Sequence, residues 1–289
     1  MLQNEMNGTE MKVPYGTNVL ITGASSGLGK SCAELFASSG YHIWGVSRNC
    51  EETDVVFQTG MIHMRKMDVT DDISVMNTVN RIISEAGQIG IVIHCAGFGI
   101  GGSVEDVPLD LAKQQMETNY FGVLRVNRQL LPHLRRQNQS LILVMSSVAG
   151  FISIPFQSHY SSSKYALEAY VEALRMECKP FGIRAALIEP GDTKTGFTAA
   201  RNTYVCEDSV YEETCRHAVG KMEKDEQNGK EPISAAKVAL KLARKKRLPI
   251  RKVVGFDYQM LALLKKLLPS RMVEAVLTDM YLNLKNKGK

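Results

Sequence analysis

The chain of 289 residues contains no run of 18 apolar residues, so it lacks a segment of the length that a transmembrane helix requires. Its polar N-terminal stretch includes Glu5, Glu10 and Lys12 and has no apolar segment like that of a secretory signal. The six cysteines form neither a C-x-x-C pair nor a regular framework, so we expect reduced thiols. These absences predict a cytoplasmic protein without a bound metal.

The sequence also lacks a nucleic-acid motif in which aromatic and basic residues alternate. Its net charge is +5, and Lys and Arg concentrate in residues 241–252 and in the last turns. We interpret these positions as a solvated face, with an anionic membrane surface or an acidic partner as the alternative. With 44% hydrophobic residues the chain can bury a large core. We predict one domain over residues 17–289, preceded by a flexible leader over residues 1–16.

Strand-like and helix-like runs alternate along the chain, which is typical of a parallel sheet with helical connections. Strands are predicted at residues 18–22, 41–47, 61–67, 91–93, 141–145, 183–188 and 250–254, and helices at 30–39, 71–86, 109–136, 158–179, 232–247 and 258–284. The predicted fold class is α/β, a single doubly wound (Rossmann) parallel sheet flanked by helices, with a C-terminal helical extension over residues 256–289. Residues 192–230 are polar and irregularly helical, which predicts a lid, with an exposed linker as the alternative.

A glycine-rich turn joins the first predicted strand to the first helix. Gly23, Gly27 and Gly29 give the spacing G-x-x-x-G-x-G, which differs from the common fingerprint G-x-G-x-x-G. Between a strand and a helix, such glycines let the backbone approach a pyrophosphate at the helix N-terminus. Arg48 ends the second strand, about 20 residues beyond the turn, where an arginine favours the 2′-phosphate of NADP over NAD. An ordinary surface arginine is the alternative.

Six predicted strands end in residues suited to ligand binding. Open α/β sheets bind ligands at the carboxyl ends of their strands, so these residues are expected to meet in one cleft. They are residues 23–29, Arg48, Asp68 with Val69, Cys95 with Ala96 and Gly97, Ser147, and Pro190 with Gly191.

Tyr160 and Lys164 lie one helical turn apart at the start of the helix over residues 158–179 and are predicted to point the same way. A free phenol has a pKa of about 10, and a nearby ammonium favours the phenolate, so Lys164 is expected to lower the pKa of Tyr160. Such a phenol can accept a proton from an alcohol or return one to an alkoxide. Tyr281 and Lys285 repeat the spacing, which we interpret as a chance match on a solvated helix end.

Together these motifs resemble the short-chain dehydrogenase/reductase family, over about residues 18–256. Residues 22–29 are similar to the family turn T-G-x-x-x-G-x-G, and Tyr160 to Lys164 to its Y-x-x-x-K pair. Ser147 stands thirteen residues before the tyrosine, as in the family. Further matches are Asn119, the family's helix asparagine, and Pro190, Gly191 and Thr195, which fit P-G-x-x-x-T.

The resemblance implies a role for each of these residues. Tyr160 would be the general acid/base, Lys164 would lower its pKa and bind the nicotinamide ribose, and Ser147 would polarise the carbonyl. Asn119 would complete a catalytic tetrad by holding a relay water, and Asp68 would contact the adenine. The cofactor-binding residues that we predict are Gly23, Ser25, Ser26, Gly27, Leu28, Gly29, Arg48, Asp68, Val69, Cys95, Ala96, Gly97, Tyr160, Lys164, Pro190, Gly191, Thr193 and Thr195. The predicted substrate residues are Ser147, Val148, Ile154, Gln157 and Tyr160.

One departure from the family follows the fourth predicted strand, where His94 and Cys95 replace the usual asparagine of N-N-A-G or N-A-G. The backbone geometry can survive this change, whereas any side-chain role of the asparagine is lost. We interpret His94 as a hydrogen-bonded histidine near the core and Cys95 as a small apolar filler.

The substrate class is inferred from the tail and the pocket. The tail runs over thirty residues beyond the last predicted strand and carries an apolar stripe of Leu261, Leu264, Leu268, Met272, Val276 and Met280. Acyl-carrier-protein ketoreductases generally end sooner, and residues 165–175 and 181–183 resemble the hydroxysteroid and retinol dehydrogenase branch. The stripe most simply packs on the domain, and a weak peripheral membrane contact through Lys265, Lys266 and Arg271 is a minor alternative.

We therefore expect an NADP(H)-dependent oxidoreductase that acts on a lipophilic ketone or secondary alcohol, similar to a hydroxysteroid dehydrogenase. The alternatives are a 3-oxoacyl (fatty acyl) reductase, a retinol/retinal dehydrogenase and, outside enzymes, a catalytically silent NADPH-binding scaffold. A homodimer or homotetramer is expected, because the long helices over residues 109–136 and 158–179 could pair.

Overall fold

The computed structural model describes residues 13–198 and 201–282. Its strands are β1 (Asn18–Thr22), β2 (His42–Ser47), β3 (Asp54–Val56), β4 (Met61–Lys66), β5 (Ile91–His94), β6 (Ile100–Gly101), β7 (Ser140–Met145), β8 (Ile183–Pro190), β9 (Asn202–Thr203) and β10 (Arg251–Val254). Its α-helices are α1 (Gly27–Ala37), α2 (Asp72–Ala86), α3 (Leu109–Met116), α4 (Gly122–Gln137), α5 (Ser158–Cys178), α6 (Glu212–Gln227), α7 (Ile233–Ala243), α8 (Phe256–Leu267) and α9 (Ser270–Leu282). A π turn (Glu117–Phe121) joins α3 to α4.

Eight strands form the main sheet in the order β10-β8-β7-β5-β1-β2-β4-β3, and β6 pairs with β9 in a separate two-stranded sheet. All pairs of the main sheet are parallel except β3 with β4. The strand order reverses at β1, which pairs with β2 on one side and β5 on the other. This is the doubly wound α/β sheet that the sequence predicted, and its carboxyl edge opens beside β1.

Hydrophobic layers cover both faces of the sheet. Val19 and Ile21 of β1 pack with the helices α1 and α7, whereas Leu20 packs with α2, α4 and α5 on the opposite face. This follows from the alternation of side chains along a strand. Strands buried on both faces need continuous apolar runs, which explains why β5 and β7 are buried throughout.

Several elements differ from the sequence prediction. The antiparallel strand β3 was missed, because its three residues are all exposed and carry no apolar periodicity. The segment predicted as irregular contains the continuous helix α6, whose Cys215, Ala218, Val219 and Met222 are buried, so it is not an exposed linker. Residues 1–12 of the predicted leader lie outside the described residues.

The packing of two terminal segments also differs from expectation. Tyr15, inside the predicted leader, is buried and donates a hydrogen bond to the Lys245 carbonyl at 2.8 Å. The C-terminal stripe does not pack on the domain as expected, because none of the described residues of α8 and α9 is buried. Across residues 13–198 and 201–282, we find no helix with the length and apolar character to cross a membrane.

Candidate active site

The turn between β1 and α1 forms a cradle suited to a phosphate group. Gly23 has a φ of +68°, and a Cβ at this position would lie 2.8 Å from the Ala96 nitrogen. A Cβ at Gly29 would lie 2.2 Å from the Gly23 carbonyl oxygen. The first turn of α1, which is fully described, has no side-chain cap and no acidic residue, so its N–H groups can bind an anion. The residues present therefore fit the pyrophosphate of a dinucleotide.

The Thr22 hydroxyl joins this turn to the loop that follows β5. Its Oγ1 accepts hydrogen bonds from the backbone nitrogens of Cys95 at 3.1 Å and Ala96 at 3.2 Å. The two loops are consequently held side by side at the carboxyl edge of the sheet. Cys95, Ala96 and Gly97 then line the same cavity as the glycine turn.

Tyr160 lies near the start of α5 and faces this cavity together with Ser147, which follows β7. Burial raises the pKa of Tyr160 to about 12, even though the hydrogen bond with the Ser147 side chain acts in the opposite direction. Among the charged groups, Glu226 raises this pKa and Arg201 lowers it. The net direction is opposite to the lowering that we predicted from Lys164, because burial of a phenolate outweighs the favourable contacts. Near neutral pH the phenol is therefore a proton donor.

Lys164 is buried on the same side of α5 as Tyr160, as the four-residue spacing predicted. Its Nζ donates a hydrogen bond to the Met145 carbonyl at 2.9 Å and lies 5.6 Å from the centre of the Tyr160 ring. Burial lowers the pKa of Lys164 to about 8, whereas Cys95 and Glu168 raise it. The ammonium group of Lys164 is thus held at the end of β7, two residues before Ser147.

Asn119 lies in the π turn and is fully buried. Its Oδ1 accepts from the Phe98 nitrogen at 3.0 Å, and its Nδ2 donates to the Phe98 carbonyl at 3.0 Å and to the Ser163 hydroxyl at 3.1 Å. Asn119 therefore fastens the loop after β5 to α5, beside Lys164. The relay water that the family resemblance implies at this residue stays a prediction.

An acidic pair lies one turn beyond Lys164 on the neighbouring elements α5 and β8. Glu168 accepts hydrogen bonds from the Ser146 hydroxyl at 2.5 Å and from Arg251 Nε at 2.7 Å. Burial, together with the negative charge of Glu168, raises the pKa of the adjacent Glu189 to about 8. Glu189 is therefore largely protonated near neutral pH. No sequence pattern indicates this pair, because its members come from separate elements.

His94 and Cys95 occupy the positions where the chain departs from the family pattern. His94 Nε2 lies 2.9 Å from Asn127 Oδ1, and burial lowers the pKa of His94 to about 4, so its ring is neutral. A hydrogen bond with Cys32 and burial raise the pKa of the Cys95 thiol well above its usual value. Both residues thus match their interpretation as a hydrogen-bonded core histidine and an inert filler. All six cysteines, which lie in the described ranges, are free.

A cavity of about 510 Å³ brings the predicted residues together. Every predicted cofactor residue lines it except Asp68 and Lys164, and all five predicted substrate residues line it. Asn119 lies behind its wall. Sequence reasoning missed six polar lining residues, Ser47, Asn49, Thr118, Ser146, Asp192 and Glu226. Asn49 and Asp192 directly follow Arg48 and Gly191 at strand ends, so the strand-end rule could have found them; Glu226, on α6, had no such signal.

Asp68 lines a second depression that adjoins the cavity at the end of β2. Arg48 and Lys66 bring two cationic side chains to this depression, which Asn49, Met67, Asp68 and Ser74 complete. Asp68 Oδ1 accepts from the backbone nitrogen of Thr70 at 2.9 Å and from its hydroxyl at 2.7 Å. Lys66 was not predicted, although its place at the end of the neighbouring strand β4 is the same signal that identified Arg48.

The segment between β8 and α7 covers the tyrosine side of the cavity. The Phe197 ring lies 5.5 Å from the Tyr160 ring, and the guanidinium of Arg201 lies 5.7 Å from the Phe197 ring. Glu226 accepts hydrogen bonds from Arg201 and from the Thr198 hydroxyl, the latter at 2.5 Å. The segment thus lies where a lid would lie, and its motion stays a prediction. Residues 199–200 are outside the described chain.

The second tyrosine–lysine match does not form a comparable site. Tyr281 was expected on a solvated helix end, but it lies against α6, with Lys221 Nζ 5.9 Å from the centre of its ring. Burial, together with the negative charges of Asp192, Asp225 and Glu226, raises the pKa of Tyr281 to about 12. Lys285 lies outside the described residues.

A protonated phenol, a serine hydroxyl beside it and an ammonium one turn away can donate a proton to a developing alkoxide and stabilise its charge. The dinucleotide cradle lies in the same cavity, so fold and site define a nucleotide-dependent oxidoreductase acting on carbonyl and alcohol groups. The sequence profile described as short chain dehydrogenase matches residues 17–205, and the chain belongs to this family.

Known proteins similar to the chain are named as reductases or dehydrogenases. A 3-ketodihydrosphingosine reductase of Bacteroides thetaiotaomicron is 38% identical over 91% of this chain and 97% of its own length. Dehydrogenase/reductase SDR family member 7B of Xenopus laevis is 33% identical over 79% of this chain and 71% of its own length. A short-chain dehydrogenase structure from Streptomyces avermitilis superposes with a TM-score of 0.74, at 25% identity, over 95% of this chain and 98% of the other.

Proposed function

We propose that the protein is an NADP(H)-dependent reductase of a ketone on a long-chain lipophilic molecule, such as a 3-ketosphingoid base. The observation that carries the proposal is the placement of Ser147 and the protonated Tyr160 in the same cavity as the dinucleotide cradle. The similarity to a 3-ketodihydrosphingosine reductase over 97% of that protein supports the substrate class. The apolar side chains that line the tyrosine side of the cavity, Phe98, Val148, Ile154 and Phe197, suit an aliphatic chain.

Four residues of the site have separate roles in the proposed reduction. When bound, NADP(H) supplies or accepts the hydride. Ser147 donates a hydrogen bond to the carbonyl oxygen, and the Tyr160 hydroxyl gives its proton to the alkoxide as the alcohol forms. Lys164 lies close enough to Tyr160 to stabilise the phenolate that remains. The Phe197 ring shields this proton transfer from water.

The preference for NADP(H) rests on Arg48 and Lys66. Both cations border the depression next to the glycine turn, where a 2′-phosphate would need positive charge. Arg48→Ala should raise the KM for NADPH by about tenfold or more, with little change in the KM for NADH, because one charge-assisted contact is lost. An equal change with both cofactors would refute the 2′-phosphate role.

A substrate panel with NADPH tests the reaction and the substrate class together. The panel contains a 3-ketosphingoid base, a ketosteroid, a retinal and a 3-oxoacyl thioester. We expect the highest kcat/KM with the ketosphingoid base; preference for the ketosteroid or retinal would favour the hydroxysteroid or retinol branch expected from the tail. Preference for the thioester would favour a fatty acyl reductase.

Tyr160→Phe separates catalysis from cofactor binding. The variant should lose at least about a thousandfold in kcat, because among the described residues no other phenol lines the cavity. Its affinity for NADPH, measured by fluorescence titration, should change little. Retained turnover would refute the assigned proton donor. Tight NADPH binding by the wild type without turnover of any panel member would instead support the silent scaffold.

A further inference from the structure

We propose that the exposed apolar faces of α8 and α9 dock onto the surface of an anionic lipid bilayer. The side chains that form the α8 face are 42% to 77% exposed and stand at positions i, i+4, i+7, i+8 and i+11. They are Phe256, Met260, Leu263, Leu264 and Leu267. This spacing places all five on one side of an α-helix.

The helix α9 also carries exposed apolar side chains on one side. Met272, Val276 and Met280 recur every fourth residue and are 46% to 55% exposed. We call these three residues and the five of α8 the C-terminal apolar face. Eight large apolar side chains that cluster on two successive helices differ from the scattered exposed apolar residues that most protein surfaces carry.

The charge distribution indicates which partner covers this face. Residues 241–289 contain 13 Lys or Arg and three Asp or Glu, whereas residues 1–240 contain 22 and 27. The positive net charge of the protein therefore resides entirely in the C-terminal part that carries the apolar face. The helices α8 and α9 themselves carry three Lys or Arg and three Asp or Glu, so the excess comes from residues 241–252 before them and from Lys285, Lys287 and Lys289 after them. Apolar helices flanked in sequence by cationic segments match the interface of a bilayer containing anionic lipids.

The position of the face connects it to the active site. Tyr258, in the first turn of α8, donates a hydrogen bond to Asp192 Oδ2 at 2.5 Å and accepts one from the Asp192 nitrogen at 3.0 Å. Asp192 lines the cavity, and so does Glu226 of α6, the helix against which α9 packs. A lipophilic substrate that resides in a bilayer would thus meet the protein next to its site.

Vesicle flotation tests this docking directly. Wild-type protein should float with vesicles of equimolar phosphatidylcholine and phosphatidylglycerol, and much less with phosphatidylcholine alone. The triple variant Leu263→Gln, Leu264→Gln and Leu267→Gln should bind at least about tenfold more weakly, because it loses apolar contact while glutamine preserves helix propensity. The matched control is Met176→Gln, which alters a 70% exposed methionine on α5 and should float like the wild type.

A second variant tests the electrostatic part. Neutralising Lys266 and Arg271, which are exposed on α8 and α9, to Gln should reduce flotation by about tenfold and remove most of its salt sensitivity. Unchanged NADPH affinity and unchanged turnover of a short soluble ketone would establish that each variant is folded. These readouts are independent of vesicle binding, so failure of the proposed reaction and failure of the docking are distinguishable.

Two outcomes would overturn the proposal. One is equal flotation of the wild type and the leucine variant, or no flotation of either. The other is a wild-type dimer in sedimentation that the leucine variant dissociates, without vesicle binding, which would make the face an interface between two copies of the chain.

Discussion

Replacing Lys164 by Met tests whether the ammonium beside Tyr160 is buried at a cost to folding. Burial lowers the pKa of Lys164 from 10.5 to about 8. Below the folded-state value the ammonium is charged in both states, and the folded state bears the full cost of burying it. As the pH rises from about 8 towards 10.5 the folded protein releases the proton first, and the cost disappears.

The magnitude follows from linkage. Between a pH of about 7 and about 9.5, the wild type should gain about 2 kcal/mol of unfolding free energy relative to Lys164→Met, since one pKa unit corresponds to about 1.4 kcal/mol. The loss of the hydrogen bond to the Met145 carbonyl shifts the variant's stability at every pH and does not affect this difference. Urea unfolding without added nucleotide, followed by tryptophan fluorescence, measures it.

The control is Lys237→Met, which removes the same charge from an exposed position of α7. Its stability should stay parallel to that of the wild type over this pH range. If the Lys164→Met curve is also parallel, the ammonium is solvated in the folded protein and the buried-lysine reasoning fails.

Three further substitutions probe the site and its support. Thr22→Val should destabilise the fold by about 1–3 kcal/mol, because the Ala96 N–H after β5 loses its acceptor, whereas the exposed Thr59→Val should cost less than about 0.5 kcal/mol. Glu189→Gln should gain stability relative to the wild type as the pH rises from 4.5 to 8, because over this range the unfolded wild type releases the carboxyl proton while the folded protein keeps it; an unchanged difference would contradict its raised pKa. Gly29→Ala should weaken NADPH binding by about tenfold or more, since a Cβ meets a carbonyl oxygen at 2.2 Å; Gly220→Ala on α6, with open space around it, should bind normally.

The sequence was sufficient for the parallel strands of the sheet and for most of the cavity because both depend on local patterns. Runs such as 141–145 could only be strands buried on both faces, and the residues after them necessarily meet at one edge. The predictions for Tyr160 and Tyr281 were wrong because they depend on contacts between residues that are distant in sequence. The direction of the Tyr160 pKa depends on burial beneath Phe197, which is distant in sequence. Tyr281 was likewise expected to be solvated, because the sequence does not show that α9 packs on α6.

The C-terminal stripe was misjudged for a different physical reason. Helical periodicity shows that a helix has an apolar side but does not identify what covers that side. A protein core, a second subunit and a bilayer impose the same spacing on the sequence. The exposure of these side chains and the excess of positive charge were needed to choose among them.

The π turn that holds Asn119 has a consequence for how this chain can evolve. A π turn contains one residue more than the α-helical turn it replaces, and each residue rotates a helix by about 100°. Deletion of any one residue between positions 117 and 121 would therefore let α3 and α4 join as a regular α-helix, without the widened turn in which Asn119 makes its contacts. Substitutions in this segment are tolerable wherever the side chain is exposed, but a change in its length is not.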